Sequence, residues 1–262
     1  MLSCCVFSNW ILAQDTSLIK IDSISVEAEL ITVDKLQNLY VFTKNNELIK
    51  YNPAGKVLFK YQSENFDQPS SIDVSNPLRP FLYYADYAKA IALDRTLSEL
   101  YQYDLSDYDL DTKLTAPALG NGIWLYTWAG QLKKYNQQGK LEIESNNIST
   151  ILSNDFDPEQ LFITESNIIL HQPQEGTYLF DRYGQFLKKL PIIYQNEISI
   201  VDQWLIHFDK KNHQLQFYHL GHSRASKLEL PHFSQPILQV NKINQHIFIR
   251  TAPQVFILNY VK

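Results

Sequence analysis

The densest set of potential ligand side chains is Asp104-Leu105-Ser106-Asp107-Tyr108-Asp109-Leu110-Asp111. Closely spaced carboxylates can supply several of the oxygens that calcium requires. Asp107, Asp109 and Asp111 are therefore weak calcium candidates. Asp73, in Ser70-Ser71-Ile72-Asp73-Val74, is a fourth. The EF-hand pattern does not fit the run, because it needs Gly at its sixth position and Glu at its twelfth. A solvated acidic loop is the competing expectation. His219-x-x-His222 has a metal-like spacing, yet it falls in a predicted turn with Asp209 on another loop. A chain with eight glycines shows no Gly-x-Ser-x-Gly elbow and no phosphate-cradling loop. No catalytic residue and no cofactor is assigned, calcium being the one open option.

A second set consists of groups suited to binding. Tyr87, Trp128, His171, His213 and Arg250 fall in predicted loops between second and third strands. Trp124, Tyr126 and Trp128 alternate, so they share one side of a strand. The first two are expected to pack between sheets. Trp128 ends the strand beside Ala129-Gly130 and is expected to be exposed. Exposed Trp and Tyr with Arg is the composition of an interface hot spot. A sugar platform would look the same.

The scaffold that must carry these residues is a repeat. Leu48-Ile49-Lys50-Tyr51-Asn52-Pro53-Ala54-Gly55-Lys56 recurs in outline as Leu132-Lys133-Lys134-Tyr135-Asn136-Gln137-Gln138-Gly139-Lys140 and Tyr178-Leu179-Phe180-Asp181-Arg182-Tyr183-Gly184-Gln185. The polar residue opening each turn serves as a ruler. Asn52, Asp94, Asn136, Asp181, His219 and Asn259 are separated by 42, 42, 45, 38 and 40 positions. Each period holds four short apolar runs divided by turn residues, which reads as four antiparallel strands. Six such units predict an all-β, six-bladed β-propeller.

The blades are placed at about 27–66, 67–110, 111–155, 156–193, 194–234 and 235–262, the last with 16–26. The last unit lacks a fourth run. Ser17-Leu18-Ile19-Lys20-Ile21 is a spare strand at the other end. It is expected to complete the final blade beside residues 254–258 and close the ring, removing an open seam.

Asp34-Lys35-Leu36-Gln37-Asn38-Leu39-Tyr40-Val41-Phe42 followed by Ile49-Lys50-Tyr51-Asn52-Pro53-Ala54-Gly55-Lys56 resembles an NHL-type blade. The motif covers one blade, while the architecture of the broad NHL/TolB-like class covers residues 16–262. That class includes both scaffolds and lactonases. The resemblance therefore implies a six-bladed propeller and no particular activity. In a lactonase-like propeller the metal ligands would come from the inner strands, where Glu29, Asp73, Glu159 and Glu197 are the available carboxylates.

Bulk composition narrows the partners. The 262 residues are 45% apolar and 13% aromatic, with net charge −5 and no long basic run. Nucleic acid is not an expected partner. No later stretch is long and apolar enough to predict a transmembrane span. Residues 1–14 are uncharged and end in Ala13-Gln14, so they read as a signal peptide; the missing positive n-region leaves a start further upstream, or a buried N-terminal strand, as the competing expectations. The Ala13-Gln14 end resembles exported Bacteroidota propeller proteins. Both cysteines, Cys4 and Cys5, lie inside it. The resulting expectation is an exported, periplasmic or outer-membrane-associated propeller that binds another envelope protein without catalysis. A calcium-dependent hydrolase or lyase and a carbohydrate-binding module are the alternatives.

Overall fold

Alternation along buried strands dictates how the sheets stack. In the computed structural model, which describes residues 17–152 and 155–261, the chain forms six four-stranded antiparallel sheets. Strand β1 is Ser17–Ser25. Blade 1 is β2 (Ala28–Val33), β3 (Leu39–Thr43), β4 (Glu47–Tyr51) and β5 (Val57–Gln62). Blade 2 is β6 (Ser71–Asp73), β7 (Phe81–Tyr84), β8 (Lys89–Leu93) and β9 (Glu99–Asp104). Blade 3 is β10 (Thr112–Pro117), β11 (Gly122–Thr127), β12 (Leu132–Asn136) and β13 (Leu141–Glu144). Blade 4 is β14 (Gln160–Ile163), β15 (Ile168–Gln172), β16 (Gly176–Phe180) and β17 (Phe186–Lys189). Blade 5 is β18 (Ile198–Val201), β19 (Trp204–Asp209), β20 (Gln214–His219) and β21 (Ala225–Glu229). Blade 6 is β22 (Gln239–Ile243), β23 (His246–Arg250) and β24 (Gln254–Val261), with β1 outermost.

The second strand of each blade has neighbours on both faces. In β3, Leu39 and Val41 pack toward blade 6 while Tyr40 and Phe42 pack toward blade 2. All five β3 residues are buried, which explains an unbroken apolar run where a one-sided sheet would alternate. Six apolar clusters result, each between two adjacent blades. Trp124 and Tyr126 sit in the cluster between blades 3 and 4, as expected.

The ruler residues have a physical role. Asn52 Oδ1 accepts the N–H groups of Ala54 and Lys56. Asn136 does the same for Gln138 and Lys140, and Asp181 for Tyr183 and Gln185. Asp94 holds Thr96 and Ser98 in the same way. Three of these turns place a left-handed glycine at the fourth position: Gly55, Gly139 and Gly184, with φ of 73°, 77° and 79°. In blade 2 Leu97 adopts that conformation, φ 63°, and is kept there by a buried side chain. His219 substitutes in blade 5, its Nδ1 accepting the N–H groups of Gly221 and His222. The His-x-x-His spacing is thus a turn in which one imidazole stands in for a carboxylate.

Closure is as the sequence predicts, and longer. Strand β1 pairs antiparallel with β24 from Ser17↔Val261 to Ser25↔Gln254, with one bulge at Lys20/Asp22. Inner strands of neighbouring blades are linked by side-chain amides. Gln239 accepts the Ile31 N–H (2.9 Å) and donates to the Ile31 carbonyl (3.0 Å), where Asn241 also donates. Gln160 makes the same two contacts to Ile198 at 2.8 and 3.2 Å. Each amide acts as a one-residue strand across a seam between sheets. The innermost strand of blade 6 is Gln239–Ile243, and Ile237 and Leu238 precede it in the incoming loop.

A buried polar knot fixes blade 1. Asp34 Oδ1 accepts the N–H groups of Leu36 and Asn38, both at 2.9 Å. Its Oδ2 accepts Asn38 Nδ2–H (2.8 Å) and Tyr40 Oη–H (3.0 Å). Lys50 is buried nearby with Nζ on the Arg95 carbonyl and over the Tyr40 ring.

Candidate functional site

Strand direction sorts the loops onto two faces. Connections between blades, and the turns between second and third strands, open on the face we call upper. The other turns open on the lower face. A central channel of about 1300 Å³ runs between them, walled by the inner strands of all six blades.

The acidic run lies on the upper face and is largely tied down. Asp109 forms an ion pair with Lys133 at 2.7 Å and accepts the Asp111 N–H. Asp111 accepts the Ala129 N–H at 2.7 Å. Asp104 pairs with Lys89 and caps Ser106. Asp107 belongs to a short 3-10 turn, Leu105–Asp107. Asp73 is elsewhere: it ends β6 toward the lower mouth, far along the channel from the upper-rim Glu29, Glu159 and Glu197. Its Oδ1 accepts the Ser75 N–H at 2.8 Å. Among the described residues, no three His, Cys, Asp or Glu side chains are grouped to hold a metal.

Burial in the channel wall pushes the Asp73 carboxyl above the usual carboxylate range, against the pull of the Ser75 hydrogen bonds. A raised native value means that the ionised form weakens the fold at neutral pH and that protonation relieves the penalty. Asp73→Asn keeps an acceptor for Ser75 and removes the charge. We expect a higher Tm than wild type at pH 7, a difference that shrinks on acidification, read by scanning calorimetry. A metal role for Asp73 would give the reverse sign in the presence of calcium.

The aromatic and basic candidates separate into three environments. Trp128 follows β11 in the turn to β12 and is 66% exposed at the upper channel mouth. Lys113 Nζ lies 4.8 Å from its ring centroid, and Lys113 is itself paired with Asp157. Tyr87, in the adjacent blade, is 39% exposed; its Oη–H donates to Asp67 Oδ2 and its ring packs edge-on against Phe66. Tyr87 thus faces the blade 1 side and Trp128 the blade 4 side of the same half of the upper face. Arg250 is on the other side of the mouth. It ends β23, with Nη1 donating to the Ala28 carbonyl at 2.7 Å.

Of the two histidines, one departs from expectation and one does not. His171 is not in a loop: it is the fourth residue of β15 and wholly buried. Its Nδ1 is 2.9 Å from Thr177 Oγ1 and its Nε2 3.0 Å from the Asn196 carbonyl. Both ring nitrogens thus have partners inside the protein, so the side chain can be buried. His213 is at the expected turn, in a left-handed conformation (φ 52°), with its ring 5.5 Å from His232.

Burial holds the imidazoles of His171 and His207 below the ordinary value near 6.5. Both are therefore neutral in the native state at pH values where the unfolded chain already binds protons. Stability is complete above about pH 6.5 and falls as pH drops below it. The expected result is a Tm that declines from pH 7 to pH 5, with a smaller decline in the His171→Gln, His207→Gln double variant.

No family model matches the sequence, and a search of curated proteins finds no relative. Solved structures do resemble it. A catalytically inactive variant of virginiamycin B lyase from Staphylococcus aureus, in complex with quinupristin, aligns over 94% of this chain and 100% of its own at 11% identity, TM-score 0.62. The chain shares the propeller fold of that lyase. A streptogramin B lyase structure aligns over 88% of this chain and 78% of its own at 13% identity, TM-score 0.54. BamB from Moraxella catarrhalis aligns over 85% and 69% at 11% identity, TM-score 0.44. At these identities the likeness is one of architecture, and architecture does not carry activity.

Proposed function

We propose that the protein is a non-catalytic binding propeller of the bacterial cell envelope, holding a partner protein against its upper face around blades 2 and 3. The observation that carries this reading is Trp128. A tryptophan is seldom left two-thirds exposed on a surface that already buries its neighbours Trp124 and Tyr126. Here it stands on a turn, braced by Lys113 and its pair with Asp157, and Tyr87 is exposed on the neighbouring blade. Trp and Tyr anchors on rigid elements are the usual centres of interface energy. Glu64, Asp67, Asp86, Asp107 and Asp155 border this half of the upper face, which favours a partner of basic surface. The nearby carboxylates Asp104, Asp109 and Asp157 are engaged by lysines of the same chain, an arrangement suited to a stable face more than to acid–base chemistry. The uncharged residues 1–14, outside the described residues, are the reason for placing the protein in the envelope.

The test is affinity purification from the native host with wild type and Trp128→Ala. Recovery of a specific partner is expected to fall by about 30-fold, the equivalent of a 2 kcal/mol hot spot, with Tm unchanged. Undiminished recovery with both Trp128→Ala and Tyr87→Ala would overturn the reading. Trp128-dependent retention on polysaccharide, with no protein partner, would assign the same patch to carbohydrate instead.

A further inference from the structure

The other half of the upper face contains a pocket of about 500 Å³ between blades 4, 5 and 6, opening beside the channel with which it shares Glu159 and Glu197. This volume is in the range of small-molecule sites. Arg250 stands in its wall. One end of the guanidinium is fixed by the Ala28 carbonyl, while Nε is fully buried and has no hydrogen-bond partner. Buried donors in native proteins are almost always paired, and an unpaired one on a charged group is costly. The amides nearest in the fold do not serve it, because Gln239 and Asn241 are both engaged by the Ile31 backbone. A guanidinium anchored at Nη1 and lining the pocket suits a carboxylate.

The remaining charges define the rest of the ligand. The pocket wall holds two cationic side chains, Arg250 and Lys210, and two carboxylates, Glu159 and Glu197. Glu197 also acts on Arg250 electrostatically, as does Glu29 from outside the wall. A simple anion would meet repulsion from these carboxylates, and a simple cation from the two bases. A molecule carrying both charges satisfies both sets. Between them Ile206 and Phe208 supply an apolar surface. We propose that this pocket binds a small zwitterion of the α-amino acid or short-peptide class, its carboxylate on Arg250 and its ammonium toward Glu159 and Glu197. The inference does not depend on the Trp128 patch.

The test uses the full chain and two kinds of probe: the common free α-amino acids, and the tripeptide Ala-Leu-Ala with free termini. Each is supplied at about 10 mM and read by thermal shift and titration calorimetry. At least one probe is expected to bind with Kd of about 1 mM or tighter and to raise Tm by about 3–5 °C. Binding by free amino acids alone assigns the ligand to that pool; binding by the tripeptide alone assigns it to peptides. The tripeptide acetylated and amidated at its ends should not bind. Glu197→Gln, an exposed position, should weaken binding about tenfold without changing the unliganded Tm. Arg250→Gln should abolish binding. Failure of every probe to bind saturably would overturn the proposal. So would equal binding by the doubly blocked tripeptide, or binding indifferent to both substitutions.

Discussion

Replacing Asp34 by Ala is expected to lower stability by about 3–5 kcal/mol, the largest loss for any single side chain in blade 1. The carboxylate is 1% exposed and accepts four hydrogen bonds from Leu36, Asn38 and Tyr40. Removing it strands two backbone N–H groups, an amide and a phenol away from water. It also removes compensation for Lys50, whose ammonium burial already pulls below its ordinary value and which Asp34 helps to keep charged. For a domain of this size the change corresponds to a fall in Tm of roughly 10–15 °C. Asp34→Asn should cost roughly half as much, because one oxygen still accepts the two backbone N–H groups and Tyr40 can reorient. Thermal unfolding of both variants reads the gradient. Equal losses would mean that charge, not hydrogen bonding, holds the turn.

Deleting residues 17–25 is expected to remove cooperative folding altogether. Strand β1 pairs along its length with β24, and Leu18 and Ile24 pack into the clusters on either side of blade 6. Each of these partly buried side chains contributes less than the roughly 1.5–3 kcal/mol of full burial, and the ladder of backbone bonds along the strand, at about 0.5–1.5 kcal/mol net each, goes with them. The sum approaches the roughly 5–15 kcal/mol net stability of an ordinary domain. The exposed β24 edge would also template aggregation. A synthetic peptide spanning residues 17–27 should restore a cooperative transition when added during refolding. That separates loss of closure from general damage. A truncated chain melting within a few degrees of wild type would show that the ring does not depend on this strand.

Fold and site were legible to different degrees, for a physical reason. The ring could be read because four of the six periods repeat one device, an Asn or Asp side chain accepting N–H groups two and four residues on. His219 reaches residues two and three on, and Asn259, expected to open a turn, lies inside β24. The inner strands of blades 4 and 5, Gln160–Ile163 and Ile198–Val201, fall inside the units read at 156–193 and 194–234. The site was harder, since polarity marks a loop only when water is the partner. His171 ends an apolar run and looks like the first loop residue, yet its cross-strand partner Thr177 and the Asn196 carbonyl from the loop to the next blade satisfy its ring. Arg250 likewise looked like a loop residue and ends a strand, anchored on Ala28 more than 200 positions away in sequence. The Gln160 and Gln239 clamps carry no local signature, because their partners belong to the neighbouring blade. The acidic run was conspicuous, but the lysines that pair with Asp104 and Asp109 are on other strands, so spacing alone offered a solvated loop or a cation site and not the ion pairs observed.

The lower face offers the natural counter-test to the proposed function. Its mouth carries Leu36, Leu78 and Leu119, each more than half exposed, on three successive blades. Site-specific photo-cross-linking in the native host compares the two faces directly, with the reactive group placed at Trp128 or Tyr87 above and at Leu78 or Leu119 below. The account predicts one protein partner captured from positions 128 and 87 and none from 78 and 119. Capture of that partner from the leucine positions alone would contradict it.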